Sequence, residues 1–405
     1  MAARRVAVTG AGVISALGAS LEAFHRSLAA GRSGIRALPP ELAESGAQVG
    51  ALVDWKSSER EAANLDRVSQ FALAAAAEAL AASALPISDT NRDRIGVSWG
   101  TGMGGANTLE AGYRQVYGAR EWRMRPLTVV MSMNNAAGSN VALRHGLRGP
   151  FANYSTACSS SAMALGEAMR TIAAGRADAI IAGGAEALLT PGVLAAWQAL
   201  RTLAPADAAD PAASCKPFDK RRAGLVLGEG AAAFVLEDEA HARARGARIH
   251  ALLTGYGNSC DAAHMSRPER EGQVRAMREA LSEARLSPAD VGYINAHGTA
   301  TSVGDVVEAE AINALFGAAA RGVPVSSTKS LHGHLLGGSG ALEFAAALLA
   351  LEGVAPPTGH LEQPDPACEL CHVAREAERI APPRAVMSNS FAFGGSNVVL
   401  IAERG

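Results

Sequence analysis

Residues 154–169 read YSTACSSSAMALGEAM, and residues 326–343 read SSTKSLHGHLLGGSGALE. Both stretches start as a short strand-like run and continue into a helix of small residues. The elements that flank the two stretches follow one another in the same order, as expected if the chain contains one structural unit twice. The sequence therefore predicts a duplicated fold, with these two stretches at equivalent positions.

Three further pairs of segments match between the two parts: VAVTGAG at 6–12 with ALLTGYG at 251–257, RIGVSWGTG at 94–102 with DVGYINAHGT at 290–299, and LVLGEGAAAFVLED at 225–238 with FAFGGSNVVLIAE at 391–403. The last pair predicts a Gly-containing hairpin at the end of each part. Because strand-like runs alternate with helical stretches throughout, we predict an α/β layered fold. Its halves are residues 1–250 and 251–405, and the first is lengthened mainly at 103–150 and 187–222.

The composition excludes several classes of protein. The 405 residues are 48% hydrophobic and 19% charged, which is globular, and a net charge of -2 gives no overall field for nucleic acid or membrane binding. No apolar run reaches the roughly 18 residues of a membrane span, and the N-terminus has no secretory pattern. Five cysteines, an odd number, favour a reducing compartment. We therefore expect a soluble cytoplasmic protein.

Cys158 lies where the first central stretch passes from strand to helix. A thiol at a helix N-terminus faces unpaired N–H groups, which favours the thiolate; a small buried packing residue is the alternative. His297 follows an apolar strand, and His334 lies in the glycine-rich second stretch, although a structural histidine is the alternative for each. Equivalent loops of a duplicated fold meet near its two-fold axis, so we predict that Cys158, His297 and His334 come together.

These residue types suit thioester chemistry. A thiolate can hold an acyl group covalently. Two imidazoles can donate hydrogen bonds to a thioester carbonyl and stabilise the enolate that forms as carbon dioxide leaves. We expect Lys329 and Glu308 to form a buried pair that supports the histidines, with surface positions as the alternative for each.

Five motifs make the chain resemble the beta-ketoacyl-acyl carrier protein synthases, and most closely their synthase II group, over essentially its full length: TACSSS at 156–161, PFDKRRAG at 217–224, NAHGTAT at 295–301, SSTKSLHGHLLG at 326–337 and NSFAFGGSN at 389–397. The resemblance implies the thiolase fold, in which two duplicated α/β halves form five layers, α-β-α-β-α. It also implies a homodimer, and a heterodimer with a related subunit stays open.

The resemblance implies a decarboxylative condensation of an acyl group on Cys158 with malonyl-acyl carrier protein, in fatty acid or polyketide-type biosynthesis. No metal or other cofactor is implied, because acyl carrier protein brings the substrates on its phosphopantetheine arm. The roles carried over are the nucleophile Cys158, the malonyl carbonyl ligands His297 and His334, the support pair Lys329 and Glu308, the gate and oxyanion residue Phe393, the arm contacts Thr299 and Thr301, and the acyl-tunnel residues Met103 and Trp197.

The chain departs from this family at several positions. Ala300 replaces a serine, Ala392 replaces a glycine beside the gate residue, and Ser396 replaces a threonine. If the gate opens through a positive φ at Ala392, its Cβ would slow the opening. Ala63 and Asn64 stand where basic residues usually meet the carrier protein, so we expect docking at one or more of Arg120, Arg123, Arg125 and Arg201.

Other readings of the motifs are weaker. Residues 368–372, CELCH, have the c-type haem attachment pattern but no export signal precedes them. Residues 10–15, GAGVIS, lack the third glycine and the later acidic residue of a dinucleotide site. A chain-length factor subunit would lack the cysteine. A degradative thiolase is expected to have a second cysteine near the C-terminal hairpin, where this chain has Phe391 to Gly394.

Overall fold

The computed structural model describes residues 4–405. Its strands are β1 Val6–Ser15, β2 Arg36–Ala37, β3 Val49–Gly50, β4 Ile95–Gly100, β5 Phe151–Tyr154, β6 Ala179–Glu186, β7 Gly230–Asp238, β8 Ala251–Cys260, β9 Val291–Asn295, β10 Val325–Ser326, β11 Val354–Ala355, β12 Glu378–Arg379, β13 Ala385–Phe391 and β14 Ser396–Glu403. Its α-helices are α1 Leu21–Ala29, α2 Pro40–Ala43, α3 Glu59–Asn64, α4 Arg67–Ser83, α5 Ala106–Tyr113, α6 Thr128–Ser132, α7 Ala136–His145, α8 Ser160–Ala173, α9 Pro191–Ala199, α10 Glu239–Ala244, α11 Arg270–Ala284, α12 Gly304–Phe316, α13 Lys329–His332 and α14 Ser339–Leu351.

Ten strands are linked in the order β10-β9-β13-β14-β8-β1-β7-β6-β4-β5. Outward from the β8–β1 junction, the two sides match strand for strand. On each side the first two pairings are antiparallel and the next two are parallel. This symmetry confirms the duplicated α/β fold that the repeated segments predicted.

The two predicted hairpins have different outcomes. The C-terminal one is confirmed, because β13 and β14 pair antiparallel across a turn at Gly394 and Gly395. The prediction at 225–238 is wrong: β7 begins at Gly230, and its antiparallel partners are β1 and β6. The other arm, residues 225–228, forms isolated bridges with distant segments instead: Leu225 with Leu203, Leu227 with His334 and Gly228 with Ala51.

Two helices form the central layer between the strands of the two halves. Every residue of α14 is buried, and α14 packs against strands of both halves. α8 packs on β4 and β6, where the backbone around Ser161 leaves no room for a Cβ on Gly100. α4 covers the N-terminal strands from outside, and α11 and α12 cover the C-terminal ones. Each large apolar side chain buried in these layers, such as Phe344, stabilises the fold by about 1.5–3 kcal/mol.

The chemistry-bearing loops follow from this arrangement. β5 leads to Cys158 at the start of α8, and β9 leads to His297. Lys329 begins the short helix α13, and His334 lies between α13 and α14. The central helices and the carboxyl ends of β5, β9 and β10 thus bring residues from both halves to one buried point. Within residues 4–405, no helix has the combined length and apolar character needed to cross a membrane.

Candidate active site

Cys158, His297 and His334 converge at the inner end of a cavity. His334 Nε2 lies 3.1 Å from Cys158 Sγ. The imidazole rings of His297 and His334 meet edge to face, with centroids 5.4 Å apart. One side-chain N or S atom from each residue falls within 4.8 Å of the others, and all three residues are buried. The structure therefore brings the three sequence-predicted residues together.

The backbone at the nucleophile is bent. A 3-10 turn at Ala157–Ser159 precedes α8, and Ala157 has a φ of 51°. An alanine in this left-handed region costs about 1–2 kcal/mol, and strain of this kind concentrates at functional sites. Ser160 holds the turn, because its hydroxyl donates to Ala157 O and accepts from the N–H of Thr156.

The environment of Cys158 favours the protonated thiol over the thiolate. Burial raises its pKa to about 11, although the Lys329 charge and the N–H groups of Phe393 and Cys158 act in the opposite direction. Cys158 lies at a helix N-terminus, as the sequence analysis predicted. The thiolate that was expected from this position disagrees with the raised pKa of Cys158. The physical reason is desolvation, which here outweighs the favourable N–H groups.

The contacts of His334 fix its tautomer. The backbone N–H of Leu336 donates to His334 Nδ1 at 3.3 Å, and the hydroxyl of Ser339 lies 2.7 Å from the same nitrogen. Ser339 Oγ already accepts from the N–H of Leu335, so its proton is free to be donated to Nδ1. Because Nδ1 is an acceptor, Nε2 carries the proton and points it toward Cys158.

His297 has the same tautomer for a different reason. Lys329 Nζ lies 3.2 Å from His297 Nδ1 and 2.6 Å from His297 O, and it also forms a fully buried ion pair with Glu343. The three protons of the ammonium thus have three acceptors. Since an ammonium group can only donate, His297 Nδ1 accepts and Nε2 carries the proton.

The expected pair of Lys329 with Glu308 is therefore wrong. The ion-pair partner is Glu343 on α14. Glu308, on α12, instead accepts the backbone N–H groups of His297 and Gly298 at 2.8 and 2.7 Å. Both carboxylates still support the same loop, one through Lys329 and one through the backbone.

Both active-site histidines are neutral. Burial, and then the Lys329 charge, hold the pKa of His297 and the pKa of His334 well below the ordinary value of histidine. The site thus presents two N–H donors beside a thiol. Nitrogen lone pairs are not offered to the cavity, so the arrangement suits a carbonyl oxygen or an oxyanion better than a metal ion.

The cavity extends from the three residues to the surface with a volume of about 260 Å³. Thr299 and Thr301 line it, and their hydroxyl oxygens lie 3.0 Å apart. Trp197 also lines it and stacks on Phe393 at 6.0 Å between ring centroids, with 17° between the planes.

Met103 lies elsewhere. It lines a neighbouring apolar cavity of about 700 Å³, and Trp197 borders both cavities. Phe393, which stacks on Trp197, lines only the first of these cavities. Of the two expected acyl-tunnel residues, Met103 thus lines only the second cavity, whereas Trp197 lines both.

The departures from the family pattern are accommodated locally. Ala392 is extended, with φ -110° and ψ 155°, so its Cβ adds no strain in this conformation. The positive φ values of the loop occur at Gly394 and Gly395, 83° and 77°. Ser396 Oγ lies 3.1 Å from Ser159 Oγ. Ala300 has a φ of 64° and is fully buried.

Sequence reasoning missed three supporting residues. Glu343 is the partner of Lys329, Ser339 orients His334, and Glu186 accepts the N–H groups of Gly102 and Gly337 at 2.6 and 3.0 Å. Glu186 thereby ties the turn that carries Met103 to the loop after His334. For Glu343 the sequence did contain a signal: it is the single acidic residue in the otherwise apolar and small run SGALEFAAALLAL at 339–351.

Comparisons with known proteins show the family to which the chain belongs. The family model "Beta-ketoacyl synthase, N-terminal domain" matches residues 3–242, and "Beta-ketoacyl synthase, C-terminal domain" matches residues 250–362. The chain is similar to nodulation protein E of Rhizobium meliloti (strain 1021), with 41% identity over 403 residues, or 98% of each chain.

It is also similar to 3-oxoacyl-[acyl-carrier-protein] synthase 2 of Coxiella burnetii (strain RSA 493 / Nine Mile phase I), with 40% identity over 417 residues, covering 100% of this chain and 99% of the relative. Among solved structures, a type II PKS acyl-carrier protein in complex with its ketosynthase bound to the hexaketide has a chain that shares the fold. The TM-score is 0.92 at 31% identity, with 100% of both chains covered. The chain belongs to the beta-ketoacyl synthase family and has its thiolase fold.

Proposed function

We propose that this protein condenses an acyl group held on Cys158 with malonyl-acyl carrier protein by decarboxylative Claisen chemistry. The observation that carries the proposal is the buried thiol that faces two imidazole N–H donors at the end of one cavity. The reaction belongs to fatty acid or polyketide-type biosynthesis, as the relatives' names indicate for those proteins.

In the first half-reaction, Cys158 sulfur attacks the acyl thioester carbonyl. The oxyanion accepts hydrogen bonds from the N–H groups of Phe393 and Cys158, which the thiol already contacts. The carbon–sulfur bond to the carrier breaks, and the carrier thiol leaves with the proton that Cys158 gives up. The acyl group is then held covalently.

In the second half-reaction, the malonyl thioester carbonyl accepts the Nε2–H groups of His297 and His334. The carbon–carbon bond to the malonyl carboxylate breaks and carbon dioxide leaves. The electron pair of that bond forms an enolate, whose negative charge lies on the thioester oxygen. The enolate carbon attacks the acyl thioester on Cys158, and the bond to sulfur breaks as the beta-ketoacyl product forms. We assign Lys329, Glu343 and Glu308 to positioning of the histidine loop.

Exposed apolar residues support two partner surfaces. Of the 14 large hydrophobic side chains exposed in the described part of the chain, 11 lie between 103 and 151. The other three, Leu200, Met265 and Val303, all line the cavity that reaches Cys158. We propose that the surface at 103–151 packs against a second copy of the chain, and that acyl carrier protein docks at the surface around the cavity mouth. The exposed Arg201, adjacent to Leu200, suits an acidic carrier.

The five free cysteines favour a cytoplasmic location for the protein.

The test is intact-mass detection of acyl-Cys158 with a panel of acyl carriers, followed by extension with malonyl carrier. We expect Cys158→Ala to fold and to lose both mass shift and product, while Cys260→Ala, which removes an exposed cysteine, keeps both. His297→Ala and His334→Ala should acylate but decarboxylate malonyl carrier poorly. Normal condensation by Cys158→Ala would overturn the proposal.

A further inference from the structure

The mouth of the cavity that contains Cys158 carries one unused positive charge. Residues 264–268 and 301–304 line the outer part of this cavity, and Arg267 is the only lysine or arginine among its lining residues. Arg267 is exposed. The inner end, by contrast, holds the buried thiol and imidazoles, so the charge and the reacting groups lie at opposite ends of one passage.

The guanidinium of Arg267 has no partner among the residues that the structure describes. Arg270, three residues later on the same segment, pairs with Glu271 at 2.6 Å. Arg267 makes no such ion pair and no side-chain hydrogen bond with any residue of the described range 4–405. Its five N–H donors are therefore available to a ligand in the passage.

The loop that carries Arg267 is held in place from inside. Gly394 donates its N–H to Met265 O at 2.7 Å, and Ser266 N–H donates to His264 Nδ1 at 3.1 Å. The guanidinium of Arg267 thus lies on a hydrogen-bonded turn at the mouth of the cavity. An anchored arginine loses less conformational freedom on binding a ligand than one on a loose tail.

The proposed substrate has a matching anion. Its phosphopantetheine arm is linear, with the thioester at one end and a phosphodiester at the other. When the thioester lies at Cys158, the phosphate lies toward the cavity mouth. A guanidinium group can bind a phosphate there through two parallel N–H···O hydrogen bonds. We propose that Arg267 binds the phosphate of the phosphopantetheine arm and so raises the enzyme's preference for substrates that carry this phosphate. The inference rests on the proposed function.

The test compares malonyl-pantetheine with malonyl-phosphopantetheine, which carries the phosphate of the arm as a monoester. The kcat/KM of decarboxylation is measured for both at low ionic strength in the wild type, Arg267→Gln and Arg270→Gln. An exposed ion pair of this kind corresponds to a preference of about fivefold for the phosphate-bearing substrate. We expect that ratio in the wild type and in Arg270→Gln, and a ratio near one in Arg267→Gln. Added salt should reduce the wild-type ratio.

Two outcomes overturn the assignment. The first is a wild-type ratio of one, and the second is a ratio that Arg267→Gln leaves unchanged. If the unchanged ratio comes with a higher KM for malonyl-acyl carrier protein in Arg267→Gln, the charge belongs to the carrier surface instead. Failure of the proposed function is distinguishable, because the wild type would then decarboxylate neither small substrate nor malonyl-acyl carrier protein.

Discussion

At the scale of single residues, the burial of Cys158 makes a prediction about pH. With a pKa of about 11, the thiolate fraction rises about tenfold for each unit of pH below that value. Alkylation of Cys158 by iodoacetamide, followed by peptide mass spectrometry, should therefore accelerate about 100-fold from pH 7 to pH 9. A free cysteine, whose pKa is about 8.5, levels off sooner and serves as the reference. A rate that is flat over this range would show a thiolate already formed at neutral pH.

A second residue-scale prediction concerns the buried pair of Lys329 and Glu343. Glu343→Gln keeps the shape of the side chain but leaves the Lys329 charge buried without its counter-charge. We expect a loss of about 3–5 kcal/mol in the free energy of unfolding, measured by chemical denaturation. Adding Lys329→Met should recover part of the loss, because it removes the orphaned charge.

The matched control for this pair is Glu369→Gln, which changes an exposed carboxylate. Its stability should differ from the wild type by less than about 0.5 kcal/mol. Equal stabilities for Glu343→Gln and this control would show that the pair contributes nothing. Sequence reasoning found Lys329 but not its partner, because the choice between Glu308 and Glu343 depends on which helix faces the ammonium group. Both glutamates are buried and both lie near the histidine loop.

At the scale of elements, the position of Trp197 at the border of both cavities predicts control of chain length. Trp197 on α9 borders both spaces and stacks on Phe393. Trp197→Ala should open the passage and shift the product distribution toward longer acyl chains, whereas Trp197→Phe should keep the stack and the distribution. Mass spectrometry of the acyl products decides between them. An unchanged profile in Trp197→Ala would mean that the chain takes another route.

The loop beside Phe393 gives a matched pair of variants. Ala392 is extended, so Ala392→Gly relieves no strain in the closed loop and should leave the rate of Cys158 acylation unchanged. Gly394 has a φ of 83° with open space around its Cα, so Gly394→Ala adds only backbone strain, about 1 kcal/mol. Stopped-flow mixing measures the rate of Cys158 acylation in both variants, Ala392→Gly and Gly394→Ala. Faster acylation in Ala392→Gly would show that opening passes through a positive φ at Ala392.

Elements were predictable where the signal is local. The strands at 6–12, 94–102 and 251–257 could be read from their apolar runs, and all three appear in the sheet. The pairing of the segment at 225–238 could not be predicted locally, because its glycine and apolar pattern resembles that of a turn between two strands and so suggested a hairpin that the structure does not contain. The true neighbours of β7 come from far along the chain, so a long-range pairing overrode the local reading.

At the scale of the whole molecule, the repeated segments were enough to predict two matching halves. The symmetry of the strand order follows from that duplication, since each half repeats the same pairings outward from the β8–β1 junction. The surfaces did not follow from it. The first half has three α-helices, α5, α6 and α7, between β4 and β5, where the second half has only α12 between β9 and β10, and the exposed apolar character of this longer segment is visible only once the core is known.

The last prediction concerns assembly through this surface. β5 is one of the two edge strands of the sheet, and Phe151 is exposed at its start. Val129 and Val130, in the segment that precedes β5, are 68% and 50% exposed. An open edge flanked by apolar side chains favours pairing with another chain. We expect a homodimer by analytical ultracentrifugation, and we expect Val130→Lys to shift it toward monomer because a charge would be buried at the contact. Ala318→Lys, which adds the same charge at an exposed site of the second half, should remain dimeric. A wild-type monomer that dimerises only with a related subunit would replace the homodimer by a heterodimer, and a Val130→Lys dimer as tight as wild type would remove this surface from the interface.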